Sequence, residues 1–276
     1  MKKIINLLFA ALIATGAAAQ QKVSIEVLGH RGGRHEFDEN TLSAFKGAYK
    51  KGIRSFETDA RLTADNELVI LHDSSLKRVA GVEMNVEQST RKEIEPIVTK
   101  KGNPILFVDQ LAQYFSTTDV HYIEWEMKTK KYTQEQLDIY CDKLYKTVMP
   151  SKPKNALYIF SSFDKRSVLT MKRLHPDVEC MFITGKPMSS NLIKTVKELG
   201  FKRVACKLNG TSRSNMQKAH KAGLIVNLYP GGTIEDFQLA VALGADIICS
   251  DRPVGMVKFA KKKMKWVSPH KDIRCR

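Results

Sequence analysis

Short apolar runs rich in β-branched residues alternate with helical patterns along most of the chain. This alternation is typical of parallel strands joined by crossover helices. Strands are predicted at Ser24–Gly29, Arg54–Asp59, His121–Met127, Ala156–Ser161, Val178–Ile183, Arg203–Lys207, Leu224–Leu228 and Asp246–Ser250. Helices are predicted at Asn40–Lys51, Thr133–Thr147, Asp164–Leu174, Ser189–Leu199, Ser212–Ala222 and Thr233–Leu243. Several of these helices stop at a glycine, the residue that best tolerates the left-handed conformation at a helix end.

The number and spacing of these units predict an α/β fold of the TIM (β/α)8 barrel type, which needs about 250 residues. The alternative is an open doubly wound sheet. That fold usually carries a glycine-rich phosphate turn after its first strand, and neither GxGxxG nor a GxxxxGK turn followed by Ser or Thr occurs here. The regular pattern stops between Ser74 and Val120, apart from one predicted helix at Val108–Phe115. We interpret residues 74–120 as a small cap inserted after the second strand, within a single domain of residues 20–276.

The first residues have the three-part pattern of a cleaved secretory signal. Lys2 and Lys3 precede an apolar stretch, Ile4–Ala14, which is followed by small residues up to Ala19. A membrane anchor is the alternative, but the apolar run is shorter than the roughly 20 residues that cross a bilayer. The pattern therefore predicts a signal peptide at residues 1–19 and an exported protein, periplasmic or secreted.

Composition narrows the class of partners. The 276 residues are 43% hydrophobic and 27% charged, which excludes collagen-like, disordered and polytopic membrane proteins. The net charge of +16 favours anionic partners.

Much of this charge lies in residues 258–276, a basic tail with Phe259, Met264 and Trp266 interleaved. It is either an amphipathic strip that touches anionic membrane lipid or a solvated last helix and tail. Nucleic-acid binding is disfavoured because no aromatic–basic motif is present.

The cysteines do not indicate a disulfide framework or a zinc motif. There are five of them, an odd number, and none forms a CxxC pair. Cys180, Cys206 and Cys249 lie in apolar strand-like runs, where a thiol usually acts as a small buried hydrophobe. The spacing of the cysteines alone neither shows nor excludes one disulfide pair.

Polar clusters stand where barrel strands should end. They are His30 with Arg31, Glu57 with Asp59, Glu126 with Lys128, and His72 with Asp73 after an extra extended run at Glu67–Leu71. In a TIM barrel the carboxyl ends of the strands form the active-site face. We therefore expect these side chains, distant in sequence, to converge there.

The carboxylates in these clusters suggest a divalent metal. Glu57 and Asp59 are two apart on a strand, so they point to the same face. Two carboxylates held together repel unless a cation neutralises them. With Glu126 from the neighbouring strand they make an all-oxygen site, which suits Ca²⁺ or Mg²⁺ rather than zinc. The alternative is that they are rim carboxylates paired with Arg31, Arg61 or Lys128.

Two histidines accompany the carboxylates. His30 and His72 would supply a proton donor and a proton acceptor that titrate near neutral pH. Together with a metal they suffice for cleavage of a phosphodiester without a covalent serine or cysteine. Arg31 and Lys128 could hold the phosphate anion.

The same segments resemble the glycerophosphodiester phosphodiesterase family. The matching stretches are His30-Arg31-Gly32, Glu39-Asn40-Thr41, Ala44-Phe45, Gly52, Glu57-Thr58-Asp59, Thr63, Asp65, His72-Asp73, Glu126-Met127-Lys128, Ser161-Ser162-Phe163, Gly244-Ala245-Asp246 and Ser250-Asp251-Arg252-Pro253. They span roughly residues 27 to 255.

This resemblance implies a TIM barrel that hydrolyses glycerophosphodiesters to glycerol 3-phosphate and an alcohol. It implies a divalent ion at Glu57, Asp59 and Glu126, and acid–base catalysis by His30 and His72. Arg31 and Lys128 match the positions expected to touch the phosphate. The sequence does not distinguish direct attack by water on the phosphate from attack by a substrate hydroxyl, which gives a cyclic phosphate.

The chain departs from the family pattern near the substrate. Asp38 stands where proline is usual, Gly33 is an extra residue, and Tyr229 replaces a common tryptophan at the end of the seventh strand. Tyr229 is therefore either a contact for the glycerol or alcohol group or a residue that packs at the rim of the core. Glu124 has the same parity as Glu126 and is a second choice for the metal, although the Glu-x-Lys spacing of the family favours Glu126.

Two other functions stay open beside the leading hypothesis. A phospholipase-like phosphodiesterase would act on lyso- or intact phospholipids, with the basic tail aiding adsorption. A non-catalytic barrel that binds a phosphate ligand is the other alternative. The paired acid–base groups argue against it, because binding alone does not require them.

Overall fold

The computed structural model describes residues 22–273. Its strands are β1 (Val23–Ser24), β2 (Glu26–His30), β3 (Ser55–Leu62), β4 (Leu68–Ile70), β5 (Tyr122–Met127), β6 (Leu157–Ser162), β7 (Glu179–Pro187), β8 (Arg203–Lys207), β9 (Ile225–Gly231), β10 (Ile247–Ser250) and β11 (Val267–Ser268). Its α-helices are α1 (Leu42–Lys50), α2 (Lys77–Ala80), α3 (Arg91–Ile94), α4 (Val108–Ser116), α5 (Gln134–Val148), α6 (Lys165–Leu174), α7 (Ser190–Glu198), α8 (Arg213–Lys221), α9 (Ile234–Leu243) and α10 (Pro253–Lys263). The predicted signal peptide at residues 1–19 lies outside the described residues, as does Cys275.

The strands close into a parallel barrel, which confirms the predicted fold. Within residues 22–273, eight strands follow the order β2, β3, β5, β6, β7, β8, β9 and β10, and β10 pairs back onto β2. Strand β3 runs three residues beyond its predicted end at Asp59, because β4 pairs with it in antiparallel register. A shell of apolar side chains fills the space between barrel and helices, and a smaller apolar cluster fills the barrel interior.

Side-chain caps decide where most of the helices begin. The side chains of Thr41, Thr133, Asp164, Ser189, Ser212 and Thr233 each accept a hydrogen bond from a backbone N–H of the first helical turn. A capping residue keeps extended backbone angles and is not itself helical. The helices therefore start one or two residues later than the sequence pattern predicts.

The inserted cap has a small core of its own. Residues 74–107 contain α2, a 3₁₀ helix at Val86–Gln88 and α3, packed around apolar side chains that include Leu76 and Phe107. Helix α4 then packs on α5 and occupies the place of the crossover helix between β3 and β5. The insertion is thus shorter than the predicted segment of residues 74–120, because α4 belongs to the barrel.

The cap is tied to the loop that follows β2. The Thr99 hydroxyl and the Asn103 amide both donate to the Asp38 carboxylate, at 2.6 and 2.8 Å. Asp38 is the residue that departs from the family's proline, and it anchors the cap here. This contact places the cap beside the carboxyl ends of the barrel strands.

The last described residues, 267–273, close the opposite, amino-terminal end of the barrel. Strand β11 pairs with β1, and the Ile273 side chain is buried in the interior cluster. The Arg203 guanidinium donates to the Ile273 carbonyl at 2.6 Å, and the Lys271 ammonium donates to Asp246 at 2.5 Å. The described part of the basic tail is therefore a plug that packs against the fold.

This packing bears on the prediction that the tail forms an amphipathic strip. Met264 is buried and Phe259 packs against the core, whereas Trp266 is 42% exposed. The apolar side chains of the segment thus do not form a continuous surface stripe, and membrane contact stays a prediction. Among the described residues, no helix has the length and apolar character needed to cross a bilayer.

Replacement of the buried plug residue should destabilise the fold. We expect Ile273→Ala to lower the free energy of unfolding by about 2–5 kcal/mol, because it leaves a cavity in the barrel interior. Urea denaturation followed by circular dichroism measures this change. Trp266→Ala is the matched control on the same segment, and its exposed ring predicts a much smaller loss. Equal losses in the two variants would contradict a plugging role for Ile273.

Candidate active site

Side chains from adjacent strands converge at the carboxyl end of the barrel. In the strand register His30 pairs with Glu57, and Asp59 pairs with Glu126. The carboxylates of Glu57, Asp59 and Glu126 offer oxygen atoms that lie within 4.8 Å of one another. The structure thus brings together the three carboxylates that the sequence pattern predicts, with His30 beside them.

These carboxylates are buried, and two cations lie among them. The Lys128 ammonium is 3.0 Å from Asp59 and also contacts Glu126, while Arg31 Nε is 3.3 Å from Asp59. Burial and the neighbouring Asp59 and Glu126 charges raise the pKa of Glu57 well above its usual range. Although burial favours the neutral form of Asp59, the Lys128 and Arg31 charges hold its pKa well below its usual range. The predicted ion pairs with Arg31 and Lys128 therefore exist.

The same cluster fits a hard divalent cation. Glu57 Oε1 is buried and accepts no hydrogen bond within the described part of the chain, whereas Asp59 Oδ1 meets the Lys128 ammonium at 3.0 Å. An unpartnered buried carboxylate oxygen is costly unless a cation meets it. The donor set is entirely oxygen, as Ca²⁺ and Mg²⁺ prefer. Arg61, a further candidate partner in the rim-carboxylate alternative, instead pairs with Glu87 and the His72 carbonyl.

Backbone turns orient two of these carboxylates. Arg31 and Asn40 have positive φ angles of 52° and 57°. The Arg31 backbone N–H donates to Glu57 Oε2 at 3.0 Å, and the Asn40 amide donates to Asp59 Oδ2 at 2.8 Å. The loop after β2 therefore holds Glu57 and Asp59 in fixed directions.

His30 is oriented by a carboxylate that the sequence reasoning did not assign to the site. His30 Nδ1 lies 2.5 Å from Asp251, which also accepts two hydrogen bonds of 2.8 Å from Arg34. Although burial opposes ionisation, these contacts hold the pKa of Asp251 well below its usual range. His30 Nε2 is left facing the cavity, 3.7 Å from Glu57. The signal for Asp251 was its place directly after the last barrel strand.

His72 has a similar arrangement. Its Nδ1 lies 2.7 Å from Asp73, which accepts a hydrogen bond of 2.5 Å from Arg78. Arg78 also donates to Glu39, and Glu39 accepts from Arg31. Burial lowers the pKa of His72 despite the nearby Asp59 carboxylate. This chain of ion pairs links the second histidine to the phosphate-binding candidate Arg31.

These groups surround a small cavity of about 140 Å³ that opens beside a wider groove of about 940 Å³. His72, Glu126, Lys128 and Phe163 line both spaces. Tyr229 forms part of the cavity wall, with its hydroxyl donated to the Thr184 carbonyl at 2.7 Å and its ring edge-on to Phe163. Tyr229 therefore offers mainly its ring to a bound molecule.

Glu124 and Cys249 form part of the same cavity wall. Glu124 accepts hydrogen bonds from the Tyr122 hydroxyl at 2.7 Å and the Asn227 amide at 2.8 Å, and burial raises its pKa to about 7. Cys249 is buried, as predicted for a small hydrophobe, but it faces the cavity rather than the outer core. Burial and the Glu57 charge raise the pKa of its thiol well above its usual range.

Two carboxylate-anchored histidines and a cluster of buried carboxylates thus lie at the carboxyl end of a TIM barrel, the face on which enzymes of this fold carry their active sites. The model of the glycerophosphoryl diester phosphodiesterase family matches residues 30–254. The chain belongs to this family and is a phosphoric diester hydrolase.

Individual proteins agree with this assignment. A glycerophosphodiester phosphodiesterase of Bacillus altitudinis is 22% identical over 251 residues, 86% of this chain and 98% of that protein. A Homo sapiens protein named lysophospholipase D is 27% identical over 161 residues, 50% of this chain and about half of that protein (51%).

Solved structures share the fold. An Oleispira antarctica phosphodiesterase in complex with the product sn-glycerol-3-phosphate superposes with a TM-score of 0.79 at 18% identity, covering 86% of this chain and 97% of that one. A glycerophosphodiester phosphodiesterase of Parabacteroides distasonis has a TM-score of 0.73 at 21% identity, covering 88% and 99%.

Proposed function

We propose that the protein hydrolyses glycerophosphodiesters to glycerol 3-phosphate and an alcohol with His30 and His72 as the acid–base pair. The observation that carries the proposal is the shared arrangement of the two rings. Each has its Nδ1 tied to a carboxylate, Asp251 or Asp73, and each lines the cavity. A histidine held in this way presents Nε2 for proton transfer.

The proposed cofactor is one divalent cation, Ca²⁺ or Mg²⁺. Glu57, Asp59 and Glu126 would hold it, since their oxygen atoms are clustered and Glu57 Oε1 accepts no hydrogen bond from the described residues. When bound, such an ion neutralises charge on the phosphoryl oxygens.

The side chains of the protein carry the proton transfers. One histidine takes the proton of the attacking hydroxyl or water, and the other gives a proton to the departing alcohol oxygen. Asp251 and Asp73 keep the rings in place and stabilise each imidazolium as it forms. Lys128 and Arg31 bring positive charge to the phosphate.

The shape of the site suits a small group on one side of the phosphate and a variable group on the other. The cavity of about 140 Å³, lined in part by Tyr229 and Phe163, would take the glycerol moiety. The wider groove would receive the alcohol. The glycerol 3-phosphate bound to the Oleispira antarctica relative supports this substrate class.

A second candidate is cleavage of lysophospholipids. The name of the human relative supports it, and so do the apolar side chains Met127, Phe163 and Phe182 that line the groove. Phe163 is 49% exposed, so it could contact an acyl chain. A non-catalytic phosphate-binding barrel is disfavoured, because binding alone does not require two carboxylate-anchored histidines.

Export and membrane contact complete the proposal. Residues 1–19 would act as a signal peptide and place the enzyme in the periplasm or outside the cell. The basic segment at residues 258–276 would adsorb to anionic lipid near Trp266. Neither feature is needed for the reaction itself.

Release of glycerol 3-phosphate from glycerophosphocholine by the purified protein tests the proposal. We expect release with added Ca²⁺ or Mg²⁺ and its loss with a chelator. Lysophosphatidylcholine, assayed in parallel, tests the second candidate. Cleavage of this lipid without cleavage of glycerophosphocholine would indicate that the enzyme needs the acyl chain. Failure to cleave either diester with any metal would overturn both.

A further inference from the structure

The cavity holds a second group of side chains able to ligate a metal: His30, Glu57 and Cys249. One ligand atom of each lies within 4.8 Å of the other two. The group shares Glu57 with the carboxylate cluster but adds an imidazole nitrogen and a sulfur. Nitrogen and sulfur ligands suit zinc and disfavour Ca²⁺ and Mg²⁺. We propose that His30, Glu57 and Cys249 form a zinc site whose occupation blocks the enzyme.

The surroundings of two of these residues support metal binding. Asp251 holds His30 by Nδ1 at 2.5 Å and leaves Nε2 directed at Glu57. A carboxylate on the outer nitrogen is the usual support for a histidine that ligates zinc. Glu57 is 3% exposed, and its Oε1 accepts no hydrogen bond in the part of the chain described. An imidazole nitrogen and a carboxylate oxygen thus both face the same small space as the Cys249 sulfur.

The distances suit one tetrahedral ion. Ligands at zinc–ligand distances of about 2.0–2.3 Å stand about 3.3–3.8 Å apart in a tetrahedron. His30 Nε2 is 3.7 Å from Glu57 Oε2, the oxygen that also accepts the Arg31 backbone N–H at 3.0 Å. The Cys249 sulfur needs side-chain adjustments of only about 1 Å to complete the set, and water takes the fourth position. On binding, the thiol loses its proton to solvent and ligates as thiolate.

The inhibition rests on the proposed function, whereas the metal site itself does not. Zinc would occupy the Nε2 atom of His30 that the proposed mechanism uses for proton transfer. It would also take Glu57 from the carboxylate cluster. Zinc and the activating cation would therefore compete for the site.

Cobalt is the spectroscopic probe for the zinc site. The purified protein with Co²⁺ should show the absorption of thiolate-to-cobalt charge transfer, and zinc should abolish it. Cys249→Ala should lose this absorption. Cys206→Ala is the matched control, because Cys206 is also buried but lies in the outer core between barrel and helices. A cobalt complex without charge transfer would overturn the site.

Zinc titration of the hydrolytic activity tests the inhibition. At saturating Mg²⁺ or Ca²⁺, zinc should inhibit the unmodified protein and Cys206→Ala alike. Cys249→Ala should need at least about tenfold more zinc, each rate being expressed relative to its own zinc-free value. Cys249→Ser repeats the comparison should the alanine variant fold poorly. Equal zinc sensitivity in all variants would overturn the inhibitory role. If no diester is cleaved, the proposed function fails, while the cobalt absorption still decides whether the site exists.

Discussion

Replacement of His30 by alanine should lower kcat by about 10²–10⁴, because a positioned proton transfer contributes a factor of this size. The His30 ring is held by Asp251 with its Nε2 facing the cavity. Arg34 keeps its two hydrogen bonds to Asp251 in the variant, so the buried carboxylate stays paired. Glycerol 3-phosphate release at saturating substrate and metal measures the change, and thermal unfolding checks that the variant is folded.

His35→Ala is the matched control for this prediction. His35 Nε2 lies 3.6 Å from the same Asp251 carboxylate, but its side chain is 41% exposed. We expect this variant to retain a rate within a few-fold of the unmodified protein. Equal loss in the two variants would mean that the charge around Asp251, rather than proton transfer by His30, limits the reaction.

Replacement of Glu126 by glutamine should weaken binding of Ca²⁺ or Mg²⁺ by at least about 10- to 100-fold, the loss that is typical for removal of even an outer-shell partner of a metal ligand. The amide keeps the shape of the side chain but removes one of the clustered negative charges. Isothermal titration calorimetry measures the affinity, and the metal concentration for half-maximal activity gives an independent value. Rates should partly recover at high metal concentration, since the other two carboxylates are still present.

Glu124→Gln tests which of the two glutamates on the same face of β5 is the third metal ligand. Glu124 is one layer deeper, and its Oε1 already accepts hydrogen bonds from Tyr122 and Asn227. Its pKa of about 7 means that the neutral form is well populated at neutral pH, which the amide mimics. Metal affinity should therefore change little in this variant. The reverse result, with Glu124→Gln losing the metal and Glu126→Gln retaining it, would reassign the third ligand.

Local features of the fold could be predicted from the sequence. The alternation of strands with helices is a property of neighbouring residues, and so is the parity that places Glu57 and Asp59 on one face. The residues that cap the helices could likewise be found near their predicted starts, although the pattern counted them as helical. The convergence of His30, Glu57 and Glu126 could be predicted from the barrel fold, because the strands of a barrel end at a common face.

Contacts between distant segments needed the tertiary structure. Asp251 orients His30 across a separation of 221 residues, because β10 closes the barrel against β2. The same closure brings Cys249 to the cavity, where the sequence pattern showed only an apolar strand. Burial of Met264 and Ile273 in the tail also follows from packing against the barrel, which the composition of the segment does not reveal.

The sequence by itself thus determined the elements and the inward-facing positions, because these depend on local hydrogen bonding and side-chain alternation, and its motifs indicated the family by resemblance. The tertiary structure alone decided which carboxylate holds each histidine, which cysteine faces the cavity and how Ile273 packs into the barrel. Those outcomes depend on strand register and barrel closure, which bring together residues that have no local relation in the sequence.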